Sequence, residues 1–114
     1  MPLTIQTKHL EPDIVVLELA GRITMGNSCQ QVEWTAAKLV SENRKKLIFD
    51  LAGITHVDST GIGIIVAVAG QMRKVGGQLR VAAANDHVAQ ILKLTSVDQI
   101  VGMHPTTEAA AAAF

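Results

Sequence analysis

The stretch Val57–Gly63, Val-Asp-Ser-Thr-Gly-Ile-Gly, gathers one carboxylate, two hydroxyls and two glycines at the mouth of an apolar run. Several chemistries could use such a set. A nucleophile elbow needs G-x-S-x-G; Gly61 stands two after Ser59, but Val57 takes the first glycine position and no His–acid pair accompanies it. A P-loop needs a lysine directly after its last glycine, and none follows here until Lys74. Gly61 and Gly63 match the first two glycines of G-x-G-x-x-G, with Val66 at the third. An aspartic-protease loop has glycine two residues after the aspartate, where Thr60 stands. His9, His56, His87 and His104 have no metal-ligand spacing. The stretch lacks a base, a metal set and a phosphate-binding lysine. No catalytic residue, metal or cofactor is assigned, and the chain is not expected to be an enzyme.

Composition narrows the field further. A chain of 114 residues suffices for one compact domain, residues 1–114. Hydrophobic residues make up 48% against 18% charged, the balance of a folded globule. Ten basic and ten acidic residues cancel, and Trp34, Phe49 and Phe114 are the only aromatics. Such a chain has neither the charge nor the stacking surface of a nucleic-acid binder. Cys29 is the single cysteine, read as a small residue on a helix face in a reducing compartment. The N-terminus has no export signal, and the apolar run Ile62–Gly70 is about half the length of a membrane span. The expected location is cytoplasmic, with no membrane span.

The elements that must position Val57–Gly63 follow from periodicity. Leu3–Leu10 alternates as a strand, Glu11–Asp13 turns, and Ile14–Gly21 reads as a second strand antiparallel to it. Cys29, Val32, Ala36, Leu39 and Val40 mark a helix ending near Glu42–Arg44, with Asn27 or Ser28 as cap. Lys45–Gly53 is nearly continuous apolar strand, as if covered on both faces. After a loop, a helix opens at Ser59 and stops at Gly76–Gly77. Strand Gln78–Ala84, helix Asp86–Thr95 capped by Asp86, strand Gln99–His104 and an alanine-rich helix capped by Thr106 or Thr107 complete the chain. The order β-β-α-β-α-β-α-β-α predicts an α/β domain. It has a small mixed sheet of four to five strands with helices mainly on one face.

Ser59 therefore stands where loop becomes helix, either as cap with Asp58 complementing the dipole, or in the first turn. Ile62, Ile65, Val66, Ala69 and Met72 form an inward stripe. Ile64, Ala67 and Val68 form a second one, either covered by another element or left as a docking surface beside the hydroxyl. A phosphate on Ser59 would gain roughly 0.3–1 kcal/mol from the helix dipole. It would lose roughly 0.7 kcal/mol per unit charge to Asp58 at about 6 Å in water. The fold should survive. An interface that had to desolvate the phosphate would lose about a hundredfold in affinity.

The sequence Leu47–Val101 resembles the STAS domain of bacterial anti-sigma factor antagonists. The likeness rests on the apolar strand ending in Asp50, on D-S-[ST]-G-[LI]-G as Asp58–Gly63, on Gly76–Gly77, and on Ile91–Val101. That resemblance implies a phospho-switch in the regulation of a sigma factor. The unphosphorylated protein would bind an anti-sigma factor serine kinase, phosphorylation of Ser59 would end binding, and a PP2C-type phosphatase would reset it. By the same likeness Asp58, Thr60, Gly61, Ile62 and Gly63 belong to the partner surface, together with Ile64 and Val68 if their stripe is open. Many antagonists carry G-x-[LIV]-D after the second strand; here Gly21–Thr24 is Gly-Arg-Ile-Thr, so Thr24 replaces an acidic partner-facing group. The alternative is a stand-alone STAS scaffold, stressosome-type, or an accessory subunit of a lipid transporter, binding constitutively through the Ile64–Val68 stripe.

Overall fold

The computed structural model describes residues 3–114, and of Asn27 and Ser28 the backbone only. The cap expected from Asn27 or Ser28 thus lies outside the described side chains. Along the chain run β1 (Thr4–Leu10), β2 (Ile14–Ile23), α1 (Asn27–Ser41), β3 (Lys46–Val57), α2 (Ser59–Lys74), β4 (Gln78–Ala82) and α3 (Asp86–Leu94). A 3-10 turn (Val97–Gln99), β5 (Gly102–His104) and α4 (Thr107–Ala112) follow. The five strands form one sheet in the order β1-β2-β3-β4-β5, with β1 antiparallel to β2 and the remaining pairs parallel. The expected element order and mixed sheet are observed.

Alternation in the strands divides the interior in two. Val15, Leu17 and Leu19 of β2, Leu47, Phe49 and Leu51 of β3, and Leu79 and Val81 of β4 face the main core. Helices α1, α2 and α3 close that face with Val32, Ala36, Ile65, Met72, Val88 and Leu92. Ile14, Val16, Ile48 and Ala82 point to the back of the sheet, where α4 covers them with Ala110. Two-sided burial is why β3 reads as an unbroken apolar run.

Three departures from the sequence expectation have physical causes. First, β3 continues past Gly53 to Val57, because β2 also continues and pairs with it as far as Ile23 opposite Val57. Two register shifts, between the pairs Glu18–Asp50 and Ala20–Gly53 and between Gly21–Ile54 and Arg22–His56, each put one extra residue into β3. Gly53 packs so close to β2 that an added Cβ would lie 2.8 Å from the Ala20 Cβ, so its glycine marks contact and not a loop. Second, β5 is only Gly102–His104, since Val97–Gln99 coils into the 3-10 turn. Third, the buried arc of α2 is turned from the expected stripe. Ile65, Ala69 and Met72 are buried as expected, but Val66 is 37% exposed, Ile64 only 5% and Val68 0%. Helix α2 packs against α1 as well as over the sheet, and Ile64 and Val68 join the main core. The second stripe is therefore covered. Ile64 and Val68, expected among the partner-facing residues if open, are buried in the main core.

This arrangement predicts that Ile64→Ala costs about 2–5 kcal/mol, as a truncated core side chain does. Val66→Ala should stay within about 0.5 kcal/mol of wild type. Chemical denaturation of the two variants distinguishes a covered stripe from an open one.

Candidate functional site

The site is built where the C-terminal ends of β2 and β3 deliver two loops to the start of α2. Asp58 leaves β3 in an extended conformation and caps α2, its Oδ1 accepting from the Gly61 amide at 2.9 Å. Its Oδ2 accepts from the Met25 amide at 3.0 Å, 33 residues earlier in the chain. The Asp58 amide in turn donates to the Ile23 carbonyl at 3.3 Å. One residue thus ties the β2–α1 loop, the end of β2 and the first turn of α2 together. The amides of Gly61 and Met25 hold the Asp58 carboxyl below its ordinary value, because both bonds favour the ionised form.

Asp58, and not Ser59, is the cap. Ser59 is the first helical residue, exposed, and its hydroxyl makes no hydrogen bond to a described residue. Thr60 is half-buried in the next position. Gly61 is buried against the end of β2: a Cβ there would run into the Ile23 carbonyl oxygen and come within 2.9 Å of Val57 Cγ1. Gly63 is its opposite, exposed, with nothing within 4 Å of the Cβ position. Ile62 is half-buried and packs on the main core.

The structure brings Thr24 to the same place, half-buried at the start of the β2–α1 loop beside Met25. A cleft of about 410 Å³ opens between that loop, α1 and α2, lined by Met25, Cys29, Glu33, Thr60, Gly63 and Ile64. Met25, 80% exposed, is the residue that motif reading passed over. Its link to Asp58 uses the main-chain amide, which leaves no mark in residue type. Cys29 is buried in the core cluster. Burial pushes its thiol up, and the negative charges of Asp58 and Glu33 push the same way. It is therefore a protonated, packed side chain and not a reactive thiolate.

This geometry has consequences for chemistry. A carboxylate with both oxygens engaged by amides and a depressed pKa is a poor base toward a neighbouring hydroxyl. Among the described residues no group of three His, Cys, Asp or Glu side chains stands together as a metal set. What the site does provide is an exposed hydroxyl, unbonded among the described residues, on a helix start that is already capped. No helix among the described residues is long and apolar enough to cross a membrane.

A mixed sheet with this strand order, helices on one face and a D-S-T-G-I-G helix start defines a STAS-type domain. The STAS domain family matches residues 5–110, and the chain belongs to that family. BtrV of Bordetella bronchiseptica is 29% identical over 96 residues, covering 84% of this chain and 82% of that protein. The anti-sigma-B factor antagonist of Bacillus subtilis is 26% identical over 110 residues, covering 95% of this chain and 96% of its own. Among solved structures, the unphosphorylated anti-sigma factor antagonist SpoIIAA matches with a TM-score of 0.75 at 15% identity, over 96% of this chain and 94% of that one. The phosphorylated form of SpoIIAA from Bacillus matches at the same TM-score, 0.75, and the same 15% identity, over 96% of this chain and 97% of that one.

Two predictions follow from the geometry of the helix start. Gly61→Ala should cost about 3 kcal/mol or more, since its Cβ would run into the backbone of Ile23 as well as the Val57 side chain. Gly63→Ala should stabilise by up to about 1 kcal/mol, the ordinary gain of alanine over glycine in a helix. Thermal unfolding of the pair reads both signs. Asp58 is depressed in the folded state, so its contribution is present at neutral pH and lost as pH falls through the folded value. The difference in Tm between wild type and Asp58→Asn should therefore shift against wild type on acidification from about pH 6 to about pH 3.

Proposed function

We propose that this protein is an anti-sigma factor antagonist that binds an anti-sigma factor serine kinase while Ser59 is unmodified. Phosphorylation of Ser59 by that kinase ends binding, and a PP2C-type phosphatase restores it, in the bacterial cytoplasm. The observation that carries this reading is the division of labour between Asp58 and Ser59. Because Asp58 caps α2, the Ser59 hydroxyl has no structural duty and is exposed. A phosphoryl group on it breaks no hydrogen bond to a described residue.

Two of the amides at this end of the site, those of Gly61 and Met25, are already engaged by Asp58 and are not free to bind that phosphoryl group. The dianion stays in water beside a carboxylate, and a partner closing over it must desolvate it unpaired. Binding is lost while folding is kept. The surface such a partner would cover comprises Ser59, Gly63 with its open Cβ position, the exposed part of Ile62 and the Thr24–Met25 loop. Thr60 and Gly61 shape it from beneath. The relatives described above support the reading: one is named as an antagonist, and another is known in phosphorylated and unphosphorylated forms that this chain matches equally well. The constitutive scaffold reading required an open stripe on Ile64, Ala67 and Val68; Ile64 and Val68 are buried and Ala67 is half-buried. The protein acts as a substrate and binding partner, with no catalytic residue of its own.

The test uses the serine kinase that co-purifies with the unmodified protein, titrated calorimetrically. Ser59→Asp should lower affinity about a hundredfold, the equivalent of roughly 3 kcal/mol, while Tm stays within a few degrees of wild type. Equal affinity, or an unfolded variant, would sink the switch.

A further inference from the structure

The back of the sheet carries a second polar centre, far from Ser59 in the sequence and unused by the switch. Arg80 of β4 lies across the sheet beneath the C-terminal segment. Its Nη1 stands 3.0 Å from Nε2 of His104 on β5. Its Nη2 donates to Gln78 Oε1 at 3.1 Å and to the Ala113 carbonyl at 3.0 Å. The guanidinium carbon sits 4.8 Å from the centre of the Phe114 ring. Arg80 is thus the clasp of the α4 segment. Gly102 leaves the room for it, since a Cβ there would lie 2.8 Å from Arg80 Nη1 and 3.0 Å from His104 Nε2.

The chemistry of this contact admits only one protonation state. A guanidinium has five donors and no acceptor and keeps its charge at any ordinary pH. The 3.0 Å contact is a hydrogen bond only when His104 Nε2 offers a lone pair, which requires a neutral imidazole with its proton on Nδ1. A protonated imidazole has no acceptor, and the contact becomes two cations side by side.

The surroundings offer that second proton little compensation. Charged residues on the elements packed against β5 are Arg80 on β4, Asp98 on the 3-10 turn and Glu108 on α4, and Lys93 of α3 shares a recess with His104. Among the described residues no carboxylate forms an ion pair with His104.

What the clasp holds is intrinsically weak. Helix α4 has six residues, too short to persist in water without tertiary contacts. Besides its own Thr106 cap on Ala109, it is attached by one hydrogen bond from Thr107 Oγ1 to Asp50 Oδ2 at 3.2 Å, by the burial of Ala110, and by Ala111 and Phe114 packing on the same cluster. We propose that the Arg80–His104 pair is a proton-operated latch on α4. With His104 neutral, Arg80 holds the end of α4 over Ile14, Val16, Ile48 and Ala82. Protonation of His104 pushes Arg80 off its partners, and α4 frays from the back of the sheet. The main core and the Ser59 site stay folded.

Nuclear magnetic resonance of the full chain tests this between about pH 7.5 and about pH 5, the interval in which histidine changes charge. The expected result is that helical Cα shifts of Thr107–Ala112 are lost with the same midpoint as the His104 ring signals, while those of α2 do not move. At the upper pH, nitrogen shifts of the His104 ring should show Nε2 unprotonated. His104→Gln keeps an acceptor that does not titrate, and its α4 should remain helical throughout. A proton on Nε2 at the upper pH would overturn the latch. So would α4 shifts that stay constant, a His104 ring that does not titrate in this interval, or loss of α4 in His104→Gln as well.

Discussion

The contact on which the site depends is the approach of Gly61 to the end of β2. Helix α2 can start where it does only because residue 61 has no side chain, since a methyl group would occupy the position of the Ile23 carbonyl oxygen. That closeness lets Asp58 reach in two directions at once, to Gly61 within the helix and to Met25 across the chain. The close approach brings the two loops within reach, and the carboxylate fixes them. Neither works alone: without the glycine the loops part, and without Asp58 two amides at the mouth of the site lose their partner.

From this constraint comes the separation between folding and the proposed phospho-switch. A hydroxyl that capped its own helix would be bound up with stability, and modifying it would unravel the first turn. Here the cap is one residue earlier, and the Ser59 hydroxyl has no hydrogen-bond partner among the described residues. Charge can be added to Ser59 at little structural cost because the dipole and the Asp58 carboxylate act on it in opposite senses. The cost appears only when another surface tries to exclude water from it. Gly63 extends the same logic. It gives up helix stability at a position where nothing in the fold requires it. A surface that must admit a partner's backbone closely would account for that sacrifice.

Much of this was legible in the sequence, for reasons that can be named. Strand–helix alternation and cap residues such as Thr106 are local signals, and they produced the observed order of elements. The D-S-T-G-I-G stretch drew attention by residue type. Other features depend on tertiary contact. Gly53 resembles a strand end until Ala20 is placed against it. Val66 is more exposed than its stripe predicted, and the choice left open for Ile64 falls to the covered alternative because α1 lies alongside α2; no periodicity in α2 reports its neighbour. Met25 escaped notice because its link to Asp58 is a main-chain one. Arg80 and His104 lie 24 residues apart and meet only through parallel pairing of β4 with β5.

The central claim is that phosphorylation changes what the surface tolerates and not what the fold is. The most direct measurement compares amide nitrogen–proton spectra of the free protein with and without stoichiometric phosphate on Ser59. The account predicts shift changes confined to Thr24–Gly26 and Val57–Gly63, with the signals of the main core and of α1 beyond its first turn in place. Changes spread through α1, α3 and the sheet would show that the phosphate acts by refolding the domain, and would contradict the account.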